Sequence, residues 1–324
     1  MRRDLAPGPL ANLISSYVAE RRAVGYKCLE EERLLRRLDH FLVGRGVTTP
    51  ELPCDIVKEW TAKTPHERPR TRASRVGITR QLARFMVDRG LCAYIPPPVR
   101  MEIARLDFTP HIFTREEIRA LLSSVDQLPA SPKSPRRHLV MPELFRILYG
   151  CGLRVSEALK LTVADVNLDE GILVIREGKF RKDRLVPLSP GLSSRLRRYA
   201  GALDRTGDRG EAFFPKQDGS HYDKGTVYSI FRRMLLAAGM SHGGRGHGPR
   251  LHDLRHTFAV HRLEEWYRQG ADLGAKLPVL STYMGHQSLA GTQRYLRLTP
   301  ALFPKVAASV EAVVGHVVPR RELL

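Results

Sequence analysis

The amino-acid sequence predicts a mainly α-helical protein of two domains, the second being α+β with a small antiparallel β-hairpin or sheet. Apolar residues recur at helical spacing along residues 10–92. Three consecutive prolines, Pro96–Pro98, interrupt that pattern, and two short β-prone runs follow at residues 172–176 and 184–188. The 324 residues are enough for two domains of ordinary size.

The front domain, residues 1–95, is expected to contain about four helices. Apolar side chains fall on one face of each candidate helix, which is the pattern of helices that share a core. The residues that carry this pattern are Leu10, Leu13, Ile14 and Tyr17, then Leu34, Leu35, Leu38, Phe41 and Leu42, then Ile56 and Trp60, and finally Ile78, Leu82, Phe85 and Met86.

The last of these helices also carries a dense set of arginines. No acidic residue lies between Glu67 and Asp88. A solvated helix face and a set of DNA phosphate contacts both explain the run, and we favour phosphate contacts because the run lacks acidic partners. The arginines are Arg68, Arg70, Arg72, Arg75, Arg80 and Arg84.

The prolines end the front domain, and a linker is expected over residues 96–110. The second domain, residues 111–324, opens with Thr114 and Glu117, the spacing of a helix capping box. Its two β-prone runs flank residues 177–183, which predicts a hairpin. A terminal helix is expected to carry an apolar stripe that packs on its own domain or docks on a neighbouring protomer; the stripe is Leu302, Val306, Val310 and Val314.

The chain is strongly basic, with 53 Lys and Arg against 34 Asp and Glu and a net charge of +19. Residues 1–110 hold 20 of the basic and 13 of the acidic residues, so both parts of the chain carry the excess. A folded protein with this field attracts polyanions, and nucleic acid is the first candidate partner.

Other classes of protein find little support. The cysteines (Cys28, Cys54, Cys92, Cys151) form no CxxC pair, which disfavours disulfides and zinc and favours buried free thiols. The glycine-rich segment around His242 and His247 is typical of a flexible loop more than of a metal site. No apolar run is long enough to span a bilayer, so we expect a cytoplasmic protein without membrane contact.

Four segments contain residues suited to phosphate chemistry, although each alone also has an ordinary structural explanation. In GLRVSEAL, Arg154 lies at a turn where Glu157 can hold its guanidinium. Lys179 follows a glycine at the expected hairpin tip. In HDLRH, Arg255 and His256 share a helix face with His252. The fourth segment runs from Gly285, which ends a helix, to a second short helix expected to carry Tyr295.

Taken together and in this order, these segments resemble the catalytic domain of the tyrosine recombinase (phage integrase) family. The resemblance rests on GLRVSEAL, on GK followed by RLVPL, on HDLRH, and on GH followed by TxxY, and it covers roughly residues 112–300. The front domain resembles the family's helical, SAM-like core-binding domain by pattern and position only.

The resemblance implies a role for each matching residue. Arg154 and Arg255 correspond to the pair that clamps the scissile phosphate, and Glu157 to the acidic residue that supports the first arginine. Phe180 stands where the family commonly has glycine, so Lys182 is an alternative to Lys179 as the hairpin lysine. The remaining implied assignments are His252 and His286 as the active-site histidines and Tyr295 as the nucleophile.

These residue types suit the chemistry independently of the resemblance. Two guanidiniums bind the oxygens of a phosphodiester and stabilise the charge that builds up during attack. A tyrosine hydroxyl needs a base or a positive field to act at neutral pH, and a lysine can protonate the departing oxygen. Neither a metal ion nor another cofactor is required.

The family resemblance also implies a substrate and an assembly. The expected substrate is double-stranded DNA with specific recombination sites, which is cut through a 3′-phosphotyrosine intermediate. The expected assembly is a homotetramer on two DNA sites, with or without related recombinases, and the reaction passes through a Holliday junction. The expected location is the cytoplasm, at the nucleoid. We favour integration, excision or transposition of a mobile element, because the front domain and the glycine-histidine loop are not those of a minimal housekeeping enzyme. Chromosome-dimer resolution, type IB topoisomerase-like relaxation and an inactive DNA-binding accessory role stay open.

Overall fold

The computed structural model describes residues 7–99, 109–132, 134–176, 183–203, 210–244, 248–286 and 288–298, without the side chain of residue 297. The chain divides into two compact units, Met1–Phe108 and Thr109–Leu324. In the described ranges no helix is both long and apolar enough to cross a membrane. The fold is mainly helical with one small antiparallel sheet, which confirms the predicted fold class.

The described residues of the first unit form four helices around one apolar core. Leu35, Leu38 and Leu42 of the second helix are fully buried there. The carboxylate of Asp39 on the same helix accepts hydrogen bonds from the backbone N–H groups of Gly8 and Leu10, at 3.0 and 2.8 Å. The helices are α1 (Ala11–Ala23), α2 (Leu29–Val43), α3 (Cys54–Thr61) and α4 (Pro69–Val87).

The second unit places its central helices around a larger core. Its first helix begins at the predicted capping box, in which Thr114 and Glu117 cap each other's backbone N–H groups at 3.1 and 2.8 Å. The helices are α5 (Arg115–Asp126), α6 (Arg137–Gly150), α7 (Val155–Ala158), α8 (Pro190–Ala202), α9 (Lys224–Ala237), α10 (Asp253–Arg268), α11 (Leu273–Met284) and α12 (Ala290–Gln293). Short 3₁₀ turns lie at Val163–Asp165 and Leu296–Leu298.

Within the described ranges the sheet has three antiparallel strands in the order β1 (Val166–Asn167), β2 (Ile172–Ile175) and β3 (Arg184–Pro187). The predicted strand pair is confirmed, each strand being one residue shorter than expected. Ile175, the last residue of β2, pairs with Arg184, the first residue of β3, so this pair closes the ladder next to the hairpin connection. The connection itself, residues 177–182 with Lys179, Phe180 and Lys182, lies outside the described residues, as does the predicted terminal stripe.

A smaller apolar cluster in the second unit positions the end of the described chain. Phe258 of α10, Leu280 and Met284 of α11, and Tyr295 pack together in it. The aromatic ring of Tyr295 is therefore held by the same helices that carry HDLRH and Gly285.

The expectation of four buried thiols is half wrong. Cys28 and Cys151 are buried, but Cys54 and Cys92 are exposed. Cys54 is the first residue of α3, and Cys92 lies in the segment that follows α4, so neither belongs to the buried face of a helix.

Candidate active site

Arg154 lies where the sequence predicted, in the turn between α6 and α7. Its guanidinium donates to Glu157 at 2.6 Å, and the other carboxylate oxygen of Glu157 accepts from the Arg154 backbone N–H at 2.9 Å. A second guanidinium nitrogen donates to the carbonyl of Gly285 at 3.1 Å. The side chain of Arg154 stays 20% exposed, so part of its fork of donors faces outward.

Gly152 makes this turn possible. Its φ is +58°, in the left-handed region that favours glycine. A Cβ atom there would lie 2.4 Å from Cδ1 of Phe258, a ring packed from α10. Only glycine lets the Arg154 turn approach α10 so closely.

Arg255 is the most deeply buried charge of the site. It lies in the first turn of α10, is 2% exposed, and donates to the carbonyl of Gly152 at 2.6 Å and to that of Met284. Burial, followed by repulsion from Arg154, lowers the pKa of Arg255 to about 10, so it remains charged at neutral pH. Arg255 therefore joins the Arg154 turn to the end of α11.

Tyr295 is 2% exposed and its hydroxyl reaches back to the first turn of α10. The hydroxyl lies 3.1 Å from Nδ1 of His256, and the guanidinium of Arg255 is close enough to act on it electrostatically. Burial raises the pKa of Tyr295, while Arg255 and Arg294 act to lower it. The expected position on a short helix is corrected: α12 ends at Gln293, and Tyr295 lies in the turn that follows.

The histidines around this hydroxyl are neutral at physiological pH. Burial, and then the nearby arginines, lower the pKa values of His252 and His286 to about 4. The pKa of His256 falls to about 3 through burial and then repulsion from His252, whose ring lies edge-on at 4.8 Å between centroids. Neutral imidazoles can accept protons or hydrogen bonds, which a cationic histidine cannot do.

His286 is placed by two contacts. Gly285 ends α11 in the left-handed conformation with φ +65°, which turns the chain at His286. Nδ1 of His286 lies 2.7 Å from Oγ1 of the buried Thr292, and its ring stacks on Tyr295 with centroids 6.1 Å apart. The structure therefore brings His286 and Tyr295 together across the GH…TxxY segment.

Two site residues were missed at the level of sequence. His256 was noted only as sharing a face with His252, yet its own ring contacts the Tyr295 hydroxyl. Its position directly after Arg255 was the available signal. Arg184 was read only as part of a β-prone run, yet its guanidinium binds the carboxylate of Glu157 at 2.9 and 3.1 Å. Nothing in the alternation of a strand marks such a contact.

The predicted DNA-binding arginines on and beside α4 divide into three kinds. Arg68, Arg70 and Arg84 are exposed. Arg72 and Arg80 are partly buried and donate to the backbone carbonyls of Thr61 and Pro96.

Arg75 departs from the prediction that these arginines contact DNA. It is buried, pairs with Glu67 at 2.6 Å, and donates to the carbonyls of Trp60 and Ala62. The acidic partner lies just before the acid-free run, eight residues from Arg75, so composition within the run concealed it. Arg75 is a structural residue of the first unit.

No cluster of metal-ligating side chains occurs among the described residues. Nε2 of His242 lies 2.8 Å from the hydroxyl of Tyr228, and His247 lies outside the described part of the chain.

Comparisons with known proteins show the family of this chain. The model of the phage integrase family matches residues 111–301, more than half of the chain. A Sinorhizobium fredii protein named integrase/recombinase y4rB is 33% identical over 92% of this chain and 96% of its own length. The tyrosine recombinase XerA of Thermococcus kodakarensis is 35% identical over 64% of this chain and 66% of its own. The chain belongs to the phage integrase family, the class of tyrosine site-specific recombinases.

The fold agrees with this membership. The structure of the Tn1549 transposon integrase in complex with transposon right end DNA covers 94% of this chain and 98% of its own, with 18% identity and a TM-score of 0.62. At that identity the likeness shows the fold alone.

Proposed function

We propose that this protein cuts and rejoins double-stranded DNA at specific sites through a 3′-phosphotyrosine bond to Tyr295. The observation that carries the proposal is the Tyr295 hydroxyl, buried against Arg255 and His256 although the chain separates them by about 40 residues. A buried phenol held among guanidiniums and neutral imidazoles is an arrangement suited to nucleophilic attack on an anion.

In the proposed reaction the scissile phosphate binds beside Arg154 and Arg255. Their guanidiniums have fixed forks of donors that match phosphate oxygens and bear the negative charge that develops during attack. Arg154 keeps part of its fork exposed, and Arg255 is fixed by two backbone carbonyls. Because both hold their positions through the protein itself, little reorganisation is needed in the transition state.

Activation of Tyr295 falls to the field of the arginines and to the histidines. The hydroxyl has a raised pKa, so it is protonated at neutral pH and must lose its proton as it attacks. His256 is in hydrogen-bonding contact with that oxygen, and the neutral His252 stands beside His256. His286, fixed by Thr292, completes the set. Lys179, with Lys182 as the alternative, is proposed as the acid that protonates the leaving 5′ oxygen.

The phosphotyrosine bond retains the energy of the broken phosphodiester. A second 5′ hydroxyl can therefore displace Tyr295 without a high-energy cofactor, which permits strand exchange between two duplexes. We extend the proposal to a homotetramer on two DNA sites, with the exposed Arg68, Arg70 and Arg84 of the first unit binding phosphates. Since its substrate is DNA, the proposed place of action is the cytoplasm, at the nucleoid.

A mobile element is the proposed biological context. The likeness to integrase/recombinase y4rB extends over nearly the whole of both chains, whereas that to XerA extends over about two thirds. The fuller likeness to an integrase/recombinase favours integration, excision or transposition over resolution of chromosome dimers.

A nicked suicide substrate tests the chemistry. The probe is a DNA duplex containing the repeats that flank the element, nicked so that the 5′-hydroxyl fragment diffuses away after cleavage. The expected result is a covalent protein–DNA adduct on a denaturing gel that Tyr295→Phe abolishes. Tyr199→Phe is the matched control, because it removes the hydroxyl of another buried tyrosine, bonded to the Phe213 carbonyl at 2.8 Å. Absence of an adduct with the unchanged protein, or its persistence in Tyr295→Phe, refutes the proposal.

A further inference from the structure

Arg184, the first residue of β3, is a half-buried arginine whose side chain is largely covered and joins three parts of the site. Its Nε donates to the carbonyl of Tyr283 at 2.9 Å, and its two terminal nitrogens donate to the two carboxylate oxygens of Glu157 at 3.1 and 2.9 Å. Its side chain is 9% exposed, against 20% for Arg154. The side chain of Arg184 is thus turned away from solvent, whereas that of Arg154, which binds the same Glu157 carboxylate, is partly exposed.

The carboxylate of Glu157 is shared between two arginines. It accepts two hydrogen bonds from Arg154 and two from Arg184. Although burial acts to raise the pKa of Glu157, the contacts with Arg184 and Arg154 lower it to about 2, so the group is ionised throughout the working range of pH. A fixed negative charge therefore stands directly behind an arginine that has to attract a phosphate.

The charge of this cluster depends on Arg184. Arg154 and Arg255 together with Glu157 have a net charge of +1, and Arg184 brings the cluster to +2. Attack of a tyrosine oxygen on a phosphodiester, once the phenol proton has gone to a base, places two negative charges on the reacting group. Buried charges a few ångströms apart interact strongly, so a difference of one charge changes the transition state markedly.

We infer that Arg184 is a positioning residue for the reaction proposed above: it neutralises Glu157, so that the positive charges of Arg154 and Arg255 both act on the phosphate. Glu157 then orients Arg154 without cancelling it. The inference rests on the proposed function of the site, and it assigns Arg184 no contact with DNA.

The same side chain also braces the turn that leads to His286. A Cβ atom on Gly285 would lie 3.0 Å from a terminal nitrogen of Arg184, so the guanidinium fills the space beside that turn. A purely structural role would follow from this packing alone. The test must therefore separate charge from bracing.

A double-mutant cycle makes that separation. Arg184→Gln removes one positive charge, and adding Glu157→Gln restores the net charge of +2 while an amide still bonds Arg154. Adduct formation at saturating suicide substrate is expected to slow by about 100-fold in Arg184→Gln, because one largely covered positive charge close to the phosphate is lost. The double variant is expected to be faster than Arg184→Gln by about tenfold, a coupling typical of residues in contact. Arg184→Lys, which keeps the charge, should lose less than Arg184→Gln.

Two further measurements exclude other causes. DNA affinity, measured in a Tyr295→Phe background, is expected to fall far less than the adduct rate in Arg184→Gln, because Arg184 makes no contact with DNA and the ground-state phosphate carries one negative charge where the transition state carries two. Arg195→Gln is the matched control: Arg195 also binds a buried carboxylate through two nitrogens, that of Glu143, with a closest approach of 2.7 Å. Its adduct rate should equal that of the unchanged protein.

The outcomes are decisive in both directions. A double variant faster than Arg184→Gln supports the inference, even if thermal melting shows both to be less stable. A double variant as slow as Arg184→Gln, or Arg184→Lys as slow as Arg184→Gln, overturns it in favour of bracing. Arg184→Gln at the rate of the unchanged protein also overturns it. If the unchanged protein forms no Tyr295-dependent adduct, the proposed function has failed, which is a distinct result.

Discussion

Replacement of Gly152 by alanine should destabilise the second unit through two separable effects. The left-handed φ of +58° penalises a side chain by about 1–2 kcal/mol. The new Cβ would lie 2.4 Å from Cδ1 of Phe258, a ring that is 7% exposed and cannot leave its cluster freely. Such overpacking costs about 1–3 kcal/mol, so the total is about 2–5 kcal/mol. For a unit of this size each kcal/mol lowers Tm by roughly 2–4 °C.

Thermal melting followed by circular dichroism measures the loss, and Gly239→Ala is the control. Gly239 also has a left-handed φ, +75°, but a Cβ there meets no described atom within 4 Å, so this variant carries the backbone penalty alone. The difference in Tm between the two variants isolates the clash with Phe258. If Gly152→Ala is no less stable than Gly239→Ala, the close approach between the Arg154 turn and α10 is not a constraint on the fold.

Three further predictions concern the arginines and the histidines. Arg75→Ala should cost about 3 kcal/mol in urea unfolding because it removes the arginine partner of Glu67, whose side chain is 9% exposed. The exposed Arg84→Ala should leave stability unchanged and reduce the salt slope of DNA binding by about 1, and equal effects of the two variants on DNA binding would contradict this difference. The pKa of His256 is about 3 in the folded protein, below its unfolded value, so its contribution to stability is complete above pH 6.5 and declines as the pH falls. Between pH 7 and pH 5 the free energy of unfolding should fall by about 2 kcal/mol through this group, and His256→Phe should flatten the pH dependence of Tm. His256→Phe should also slow adduct formation by about 100-fold, and His256→Asn should slow it less. An unchanged rate of adduct formation would show that His256 does not take part in the reaction of Tyr295.

Elements whose cause is local were predictable from the sequence. The capping box at Thr114 and the glycine that ends α11 depend on residues within one turn, and both occur as expected. The strand pair was predictable because two β-prone runs flank a short connection. Strand β1 was not, since its two residues carry too little pattern to be recognised and exist as a strand only through pairing with β2.

Side-chain partners were harder to predict than positions along the chain. Arg75 lies in a stretch of sequence without acidic residues, yet in the folded chain its guanidinium binds the carboxylate of Glu67 and a backbone carbonyl. The motifs located the residues of the candidate site, but the neighbour of the Tyr295 hydroxyl, His256, is set by how α10 packs against the turn after α12. Composition and spacing do not encode that packing.

The end of α11 explains how three buried or half-buried arginines can stand so close together. Its last carbonyls lack partners within the helix and carry the negative end of the helix dipole. The three consecutive carbonyls of residues 283–285 each accept from a different arginine, in the order Arg184, Arg255, Arg154. These contacts offset the repulsion among the guanidiniums and hold their directions through backbone atoms. Because three backbone carbonyls at one helix end fix these directions, the positive charges are oriented by the fold itself, which is the arrangement that electrostatic stabilisation of a transition state requires.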